Sequence, residues 1–368
     1  MPARSGGLRD ERRAGRVPRG GHRARGRLLG PGPVPLRRKG ERVRVAGIDC
    51  GTNSIRLLIA DVDGGTVRDV VRRMEIVRLG QGVDRTGRIA DASLARAFAR
   101  TEEYAALCRR HAVESIRFAA TSAARDARNR DAFVDGIAAR IGVAPSILSG
   151  GEEARMSFEG ASSALPAGGP DPVLTVDLGG GSTEIVLGSV GGGILGTCSM
   201  DVGAVRMYER HMAGDPPASE RIAAARADVR AALDLAERRV DLSAANGLVG
   251  LAGTVTTVTA AALGLEAYDP ARIHGAVLSV RQTLDACEWF LASRHAERAA
   301  LGFIHPGRID VITAGALVWG EVVRRVEERM AAAGRMLAGI TTSEHDILDG
   351  LALWAAREPQ APATGRRA

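Results

Sequence analysis

Two short stretches of the sequence place a carboxylate, glycines and a hydroxyl between runs typical of buried β-strands: IDCGTNS at residues 48–54 and VDLGGGS at residues 176–182. A glycine-containing loop between strands exposes backbone N–H groups that lack ladder partners, and such groups form a concavity suited to phosphate oxygens. Glycine also lets the backbone approach the anion, because it has no Cβ. Asp49 and Asp177, at the ends of their strands, would face a divalent cation bound with the phosphate. The residue types therefore predict metal-assisted phosphate binding.

The two stretches are related by a constant offset of 128 residues. At this offset Asp49, Gly51 and Ser54 align with Asp177, Gly179 and Ser182, and IRLLI at residues 55–59 aligns with TEIVL at residues 183–187. The pattern indicates a duplicated strand, loop and strand, although two unrelated glycine hairpins would look similar. If the unit is duplicated, the two loops can grip a phosphate group from both sides of a cleft.

The elements that position these loops predict an α/β protein with two lobes. The 368 residues are enough for two domains, and the 45% hydrophobic but only 3% aromatic composition suits alternating strands and helices. We expect a disordered basic leader at 1–43, domains at 44–165 and 170–342, a terminal helix at 343–356 and a disordered tail at 357–368. The Pro- and Gly-rich stretch at 164–172 predicts the linker.

The net charge of +7 comes from the leader, which holds 12 Arg and Lys39 but only three acids. The rest of the chain carries 37 basic and 40 acidic residues. The globular part is therefore nearly neutral, and we expect no specific nucleic-acid partner. The leader is typical of an unstructured segment or an over-read start. The alternatives are a nonspecific polyanion-binding arm and a targeting segment.

The four cysteines and the hydropathy pattern bear on the compartment. Cys50, Cys108, Cys198 and Cys287 form no C-x-x-C pair, which suits core thiols in a reducing cytoplasm and disfavours a zinc site. The sequence has no apolar run near the roughly 18 residues that span a membrane. We therefore predict a cytoplasmic protein with no membrane partner.

Five motifs together resemble the exopolyphosphatase and guanosine pentaphosphate phosphohydrolase (Ppx/GppA) family: IDCGTNSIRLLI, TSAARDARN, SGGEEARMSFEG, VDLGGGSTEIVL and GLAGTVTTVTA. The resemblance covers roughly residues 44–356. It implies duplicated ribonuclease-H-like domains, as in actin, sugar kinases and heat-shock chaperone ATPases, with an active-site cleft between them. It also implies release of terminal phosphate from polyphosphate or pppGpp with Mg²⁺.

The resemblance also implies roles for individual residues. Glu153 matches the catalytic base and Arg125 the basic residue of the T-x-x-x-R motif, while Asp177 and Glu184 match acidic metal- and water-positioning residues that join Asp49. The phosphate-binding positions are Gly51, Thr52, Asn53, Ser54 and Arg56, then Gly179, Gly180, Gly181 and Ser182, and finally Gly253 and Thr254. Glu153 could instead serve only the dipole of its helix, and its role could be exchanged with that of Glu152.

The predicted function is a Mg²⁺-dependent exopolyphosphatase, with Mn²⁺ as the alternative metal. Clustered carboxylates raise one another's pKa unless a cation compensates, so metal dependence follows. Longer relatives carry additional C-terminal helical domains, which are thought to support the processing of long chains. Such domains cannot fit after Ala356, so we expect short chains as substrates. The rival functions are pppGpp hydrolysis, phosphotransfer and non-catalytic sensing of polyphosphate or a nucleotide. We expect a homodimer and a polyanionic small substrate.

Overall fold

The computed structural model describes residues 42–163, 165 and 168–358. All of them belong to one compact unit, Arg38–Ala368. The predicted leader lies outside the described residues except for its last two positions, and Val43 already belongs to the first strand. The predicted tail from residue 359 onward, and residues 164, 166 and 167 of the predicted linker, also lie outside.

The first sheet has five strands in the order β3-β2-β1-β4-β5. They are β1 Val43–Cys50, β2 Ser54–Asp63, β3 Thr66–Ile76, β4 Ser115–Ala120 and β5 Ser146–Ile147. The first three form an antiparallel meander, whereas β4 runs parallel to β1 and β5 runs parallel to β4. The parallel pairs place the ends of β1, β4 and β5 on one edge, where the loops that follow them can meet.

The second sheet has six strands in the order β10-β11-β9-β6-β7-β8. They are β6 Val173–Leu178, β7 Thr183–Ser189, β8 Gly193–Met200, β9 Gly247–Leu251, β10 Val277–Leu278 and β11 Ile340–Thr342. Again the first three in the chain are antiparallel, and β9 runs parallel to β6. Both halves of the chain thus begin with the same strand arrangement.

The helices cover the sheets and complete an α/β fold, as predicted. They are α1 Val83–Thr86, α2 Asp91–Arg110, α3 Ser122–Asp126, α4 Arg130–Ile141, α5 Gly150–Ser162, α6 Ala204–Arg210, α7 Ser219–Ala236, α8 Ala252–Ala262, α9 Pro270–Ile273, α10 Val280–Ala292, α11 His295–Ala299, α12 Ile312–Ala332 and α13 Ile347–Arg357. The motif TSAARDARN contains the short helix α3. None of these helices is long and apolar enough to cross a bilayer.

The predicted duplication is confirmed by strand register. Asp49 lies opposite Arg56 in the first sheet, and Asp177 lies opposite Glu184 in the second, which is the same pairing shifted by the sequence offset. The loops also close alike: the N–H of Gly51 donates to the carbonyl of Ser54 at 2.9 Å, and the N–H of Gly179 donates to that of Ser182 at 3.0 Å. The two phosphate-loop candidates are therefore structural equivalents.

Two helices pack on the sheet built by the other half of the chain. Helix α5 precedes the second sheet in sequence, yet Ala154 and Phe158 pack against Val186 and Leu251 of that sheet. Helix α13 follows the second sheet, yet its apolar face packs on β1 and β2 of the first. This exchange carries residues from each half of the chain to the opposite sheet.

Helices α5 and α13 cross with almost no space between their backbones. A Cβ at Gly160 would lie 1.9 Å from the carbonyl oxygen of Asp346, and one at Gly350 would lie 2.2 Å from that of Met156. Only glycine permits so close an approach, because the obstructing atoms belong to the backbone.

We predict that Gly160→Ala destabilises the fold by about 1–3 kcal/mol or more, the usual range for overpacking. The substitution should do so although alanine favours a helix over glycine by about 1 kcal/mol. Urea unfolding provides the measurement. Gly151→Ala in the same helix is the control, because its Cβ would meet nothing within 4 Å. Equal stability of the two variants would contradict the close crossing.

Candidate active site

The predicted phosphate and metal residues converge on one pocket of about 90 Å³ between the two sheets. Its wall includes Asp49, Gly51, Thr52, Asn53, Ser54, Arg56, Glu153, Asp177, Gly179, Gly180, Ser182, Gly253 and Thr254. Three predicted residues, Arg125, Gly181 and Glu184, do not line this pocket. They lie directly behind it, where each contacts or faces a residue of the wall.

The two glycine loops face each other across the pocket. A Cβ at Gly181 would lie 2.6 Å from the hydroxyl oxygen of Thr52 and 2.5 Å from that of Ser122. These two hydroxyls are 2.9 Å apart and form a hydrogen bond. The loop of the second sheet therefore touches both the loop of the first sheet and the start of α3. Gly181 serves this close contact, whereas Gly179 and Gly180 line the cavity.

The paired glutamates at the start of α5 have separate tasks. Ser149 caps the helix, with its hydroxyl accepting from the N–H of Glu152 at 3.3 Å and its N–H donating to the Glu152 carboxylate at 2.8 Å. Glu152 is exposed and belongs to this capping box. Glu153 is buried and lines the pocket. The structure supports Glu153, and not its neighbour, as the candidate base.

Arg125 is the side chain that holds Glu153 in position. Its guanidinium donates to the Glu153 carboxylate at 3.1 Å and to the backbone carbonyl of Leu148 at 2.9 Å. Burial, and next the charge of Glu184, raise the pKa of Glu153 well above its ordinary value, and Arg125 opposes this shift. A carboxylate whose pKa is raised in this way is a stronger base than an exposed one.

Each of the other two carboxylates of the second sheet is held by a serine. The hydroxyl of Ser157 in α5 donates to Asp177, and the hydroxyl of Ser199 in β8 donates to Glu184 at 2.7 Å. Burial raises the pKa of both acids, and the nearest charges, Asp346 for Asp177 and Asp177 for Glu184, raise them further. The hydroxyl donors stabilise the ionised forms against this effect.

Arg56, predicted to bind phosphate, is already paired with carboxylates. It donates to Asp49 at 2.7 and 3.0 Å, and its other nitrogen pairs with Asp346 at the start of α13. Although burial opposes the change, these two acids raise the pKa of Arg56 well above its usual value. Its charge therefore stabilises the acidic cluster, and little of it is left for a phosphate oxygen.

The acidic groups fit a hard cation that is held by few protein ligands. Within the part of the chain that the structure describes, no three His, Cys, Asp or Glu side chains are grouped to hold a metal. However, Oδ1 of Asp49 is buried without a hydrogen-bond partner among the described residues. Asp177 lines the same pocket. One or two carboxylates, completed by water and phosphate oxygens, are a usual Mg²⁺ environment.

The third predicted loop brings a helix N-terminus and an unpredicted arginine to the pocket. Ala252, before Gly253, has a left-handed φ of 68°, which turns the chain sharply from β9 into α8. A Cβ at Gly253 would lie 2.1 Å from the guanidinium carbon of Arg308, so this side chain rests on the loop backbone. The first amides of a helix and an adjacent guanidinium together favour an anion.

Arg308 is half-buried and makes no ion pair within 4 Å among the described residues. Burial lowers its pKa overall, although the neighbouring Tyr268, Glu344 and Asp346 raise it in part. A half-buried guanidinium without a direct ion pair is only partly compensated, which costs some stability. An anionic ligand in the pocket would remove that cost.

A second cavity of about 460 Å³ adjoins the first and shares Arg56, Ala252, Gly253 and Arg308 with it. The rest of its wall is part apolar and part charged. Its apolar surfaces come from Tyr268, Phe303 and Ile304. Its charged groups are those of Arg72, Arg73, Glu344 and Asp346. Arg72 is paired with Asp69 and Asp349. The cavity can therefore receive the part of a ligand that extends beyond the phosphate pocket.

Comparison with known proteins places this arrangement in a family. The profile of the Ppx/GppA phosphatase family matches residues 58–336. The chain belongs to the Ppx/GppA phosphatase family. It is 48% identical over 319 residues to "Exopolyphosphatase 2" of Mycobacterium tuberculosis, which covers 84% of this chain and 98% of that protein. The resemblance drawn from the motifs is thereby confirmed, and the protein is a hydrolase of phosphoanhydride bonds.

Solved structures of Ppx/GppA proteins have the same fold. The crystal structure of an exopolyphosphatase-like protein superposes with a TM-score of 0.83 at 46% identity, covering 85% of this chain and 97% of that one. The Aquifex aeolicus PPX-GPPA enzyme gives 0.70 at 27% identity over 85% of this chain and 100% of that one.

Sequence reasoning missed several residues of this Ppx/GppA site. Arg308 precedes a helix in a loop that also carries a histidine, and nothing in its local pattern distinguishes it from other arginines. Asp346 had a detectable signal, since it caps α13 in a capping box with Asp349. Ser157 and Ser199 carried none, because a single serine in a helix or strand has no periodic signature. All four are brought to the site by packing between elements.

We predict that Arg308→Gln raises the KM for a phosphoanhydride substrate about 10- to 100-fold, since a charge-assisted hydrogen bond contributes about 1.5–3 kcal/mol. Its melting temperature should stay equal or rise slightly, because a half-buried charge without a direct ion pair is removed. Steady-state kinetics and thermal unfolding provide the two readouts.

Arg324→Gln is the matched control. Arg324 lies in α12 and is paired with Glu321 at 3.0 Å and Glu288 at 2.5 Å, away from the pocket. Its loss should lower the melting temperature and leave KM unchanged. An unchanged KM in Arg308→Gln, or a raised KM in Arg324→Gln, would contradict the role given to Arg308.

Proposed function

We propose that the protein is an exopolyphosphatase that uses Mg²⁺ to release terminal phosphate from inorganic polyphosphate, with short chains preferred. The observation that carries the proposal is the meeting of two equivalent glycine loops with Glu153 and Asp177 in one pocket. The 48% identity to a relative named exopolyphosphatase supports polyphosphate as the substrate.

The terminal phosphate binds between the loops in this proposal. Backbone amides of both glycine loops, the hydroxyl of Thr52 and the first amides of α8 offer donors to its oxygens, while the Ser182 hydroxyl donates to Glu184. Arg308 supplies the fixed positive charge. Such donors act most strongly when they are already oriented, because no reorganisation is then needed as charge develops on the phosphoryl oxygens.

Glu153 activates the attacking water. Its carboxylate faces the pocket and is oriented by Arg125 at 3.1 Å. It accepts a proton from a water molecule placed in line with the terminal phosphoanhydride bond. The water oxygen bonds to the terminal phosphorus as that phosphoanhydride bond breaks, so orthophosphate and the shortened chain are released. Glu184, behind the wall, raises the pKa of Glu153 and so increases its ability to take that proton.

Asp49 and Asp177 are the residues that would hold the metal, with Mn²⁺ as the alternative to Mg²⁺. When bound, the cation neutralises charge on the phosphate oxygens and polarises them. Glu184 accepts a hydrogen bond from Ser199 at 2.7 Å and helps to position the attacking water, not the metal.

The preference for short chains rests on the wall of the second cavity. A long polyanion needs a run of free cations, but Arg72 is neutralised by two aspartates there. Glu344 and Asp346 add negative charge to the same wall. Arg73 is then the main remaining cation of this wall, so the cavity offers only weak further attraction beyond the first few phosphates.

The second cavity also gives a reason to keep pppGpp hydrolysis as the other candidate. Its size and the surfaces of Tyr268 and Phe303 suit an organic group attached to the phosphates. The Glu344 carboxylate, which accepts from the Tyr268 hydroxyl at 2.5 Å, could accept from a base N–H. A nucleoside would use this wall better than a simple phosphate chain.

We expect phosphate release chiefly from short polyphosphate when purified protein is given Mg²⁺ and matched concentrations of short polyphosphate, long polyphosphate, pppGpp or ATP. A chelator should abolish the release, and added Mg²⁺ should restore it. Faster release from pppGpp would transfer the function to the second candidate. Binding without release from any substrate would favour a sensor.

We predict that Glu153→Gln lowers kcat at least about 100-fold, the scale for loss of a general base, with little change in KM because the amide keeps the shape. Glu152→Gln, one residue earlier, is the matched control and should keep normal kcat. Glutamine can keep the capping box, as Gln282 does with Ser279, so the stability should fall only by the lost attraction of the charge to the helix dipole. Equal kcat in the two variants would refute the assignment of the base.

A further inference from the structure

The guanidinium of Arg206 contacts three separate segments around the active site. Its Nε donates to the carbonyl of Gly181 at 2.6 Å, and its two terminal nitrogens pair with Asp84 at 2.5 Å and Asp126 at 2.6 Å. Gly181 belongs to the second phosphate loop, Asp84 to α1 and Asp126 to α3. One side chain of the second half of the chain thus binds two elements of the first half.

The backbone around Arg206 is itself fixed to the phosphate loop. The N–H of Ala204 donates to the carbonyl of Gly179 at 3.0 Å, and the N–H groups of Val205 and Arg206 donate to that of Gly180 at 2.8 and 3.1 Å. Three consecutive carbonyls of the loop, those of residues 179–181, are therefore held by Arg206 and its two predecessors. The guanidinium extends this hold to the opposite wall.

The contact with α3 bears directly on the residues proposed to act in catalysis. Asp126 is the last residue of α3, next to Arg125, which donates to Glu153 at 3.1 Å. On the other side, Gly181 touches the hydroxyls of Thr52 and Ser122. A shift of Arg206 would change both the gap between the phosphate loops and the placement of the Arg125–Glu153 pair.

We propose that Arg206 is a positioning residue that clamps the second phosphate loop against α3 and so sets the closed geometry of the active site. The guanidinium is suited to this task because its planar fork carries five donors in fixed directions, and three acceptors lie in those directions. Only 11% of its side chain is exposed, which reduces the screening of its ion pairs by water.

Arg210, one turn later in α6, provides a matched comparison. It also pairs with Asp84, at 2.7 and 2.8 Å. No contact of Arg210 with the phosphate loop or with Asp126 is present among the described residues. Arg206→Gln and Arg210→Gln therefore each lose an ion pair to the same aspartate, but only the first loses the clamp.

The test compares these two variants, each shown to be folded at the assay temperature, in two measurements. Steady-state kinetics on the best phosphoanhydride substrate should give a kcat about 30- to 100-fold lower for Arg206→Gln, since misplacement by about 1 Å can cost 100-fold. Arg210→Gln should stay within about 3-fold of the parent. Arg206→Lys should be as poor as the glutamine variant, because an ammonium cannot reach three acceptors.

The second measurement is amide hydrogen exchange of the loop at residues 178–183 in the free protein, which needs no turnover. The loop should exchange at least about 10-fold faster in Arg206→Gln and at the parental rate in Arg210→Gln. A variant merely destabilised as a whole would exchange faster throughout the chain, with kcat and KM unchanged per folded molecule.

Only the kinetic measurement on the Arg206 clamp depends on the proposed function. If the parent protein hydrolyses none of the tested phosphoanhydrides, the proposed function fails, while the exchange comparison still decides the clamp. Equal loop exchange in the two variants overturns the proposal. Fast loop exchange in Arg206→Gln with parental kcat on an active parent also overturns it, because the loop would then be held without consequence for catalysis.

Discussion

Buried carboxylates at the junction of the two sheets are the constraint on which the rest of this structure depends. Asp49, Glu153, Asp177 and Glu184 are each less than one-tenth exposed, and burial with neighbouring acids raises the pKa of every one of them. Such a cluster stays ionised only if donors or cations surround it. Two guanidinium groups and two serine hydroxyls supply part of this compensation, and the remainder is suited to a metal.

The site is electrostatically incomplete in two complementary ways. One oxygen of Asp49 has no partner among the described residues, which favours a cation. Arg308 lines the same pocket without a direct ion pair among the described residues, which favours an anion. A metal phosphate complex would satisfy both groups at once, so the polar groups of the pocket suit such a ligand. The hydrophobic cores of the two sheets offset the free-energy cost of burying these polar groups.

The exchange of α5 and α13 explains how the acidic cluster is assembled. Helix α5 carries Glu153 and Ser157 from the first half of the chain to the face of the second sheet, next to Asp177. Helix α13 carries Asp346 from the end of the chain back to Arg56 on the first sheet. Asp177 thus receives a hydrogen-bond partner from the other half of the chain, whereas Asp49 is linked to Asp346 only through Arg56. The close crossing of the two helices at glycines keeps these partners at fixed distances.

The sequence by itself determined the fold class, the duplication and most of the wall of the phosphate pocket. Strand alternation and glycine loops are local patterns, and the duplication repeats such a pattern at an offset of 128 residues. The other wall positions, among them Asn53, Arg56, Gly253 and Thr254, followed from the resemblance of the motifs to the Ppx/GppA family. The same resemblance narrowed the base to Glu152 or Glu153, both at the start of a helix. In the structure Glu152 makes the capping contact, whereas Glu153 faces the pocket. This difference between the two glutamates appears only in the folded helix.

Tertiary structure alone decided the partners of the predicted residues. Arg56 has the sequence context of a phosphate ligand, but packing of α13 pairs it with Asp346, which lies 290 residues away. Arg206, Arg308 and Ser199 could not be singled out, because their roles depend on distances between segments that no local pattern encodes. The physical reason is that charge compensation in a buried site depends on where unrelated segments meet. The backbone rules that a sequence displays do not contain that information.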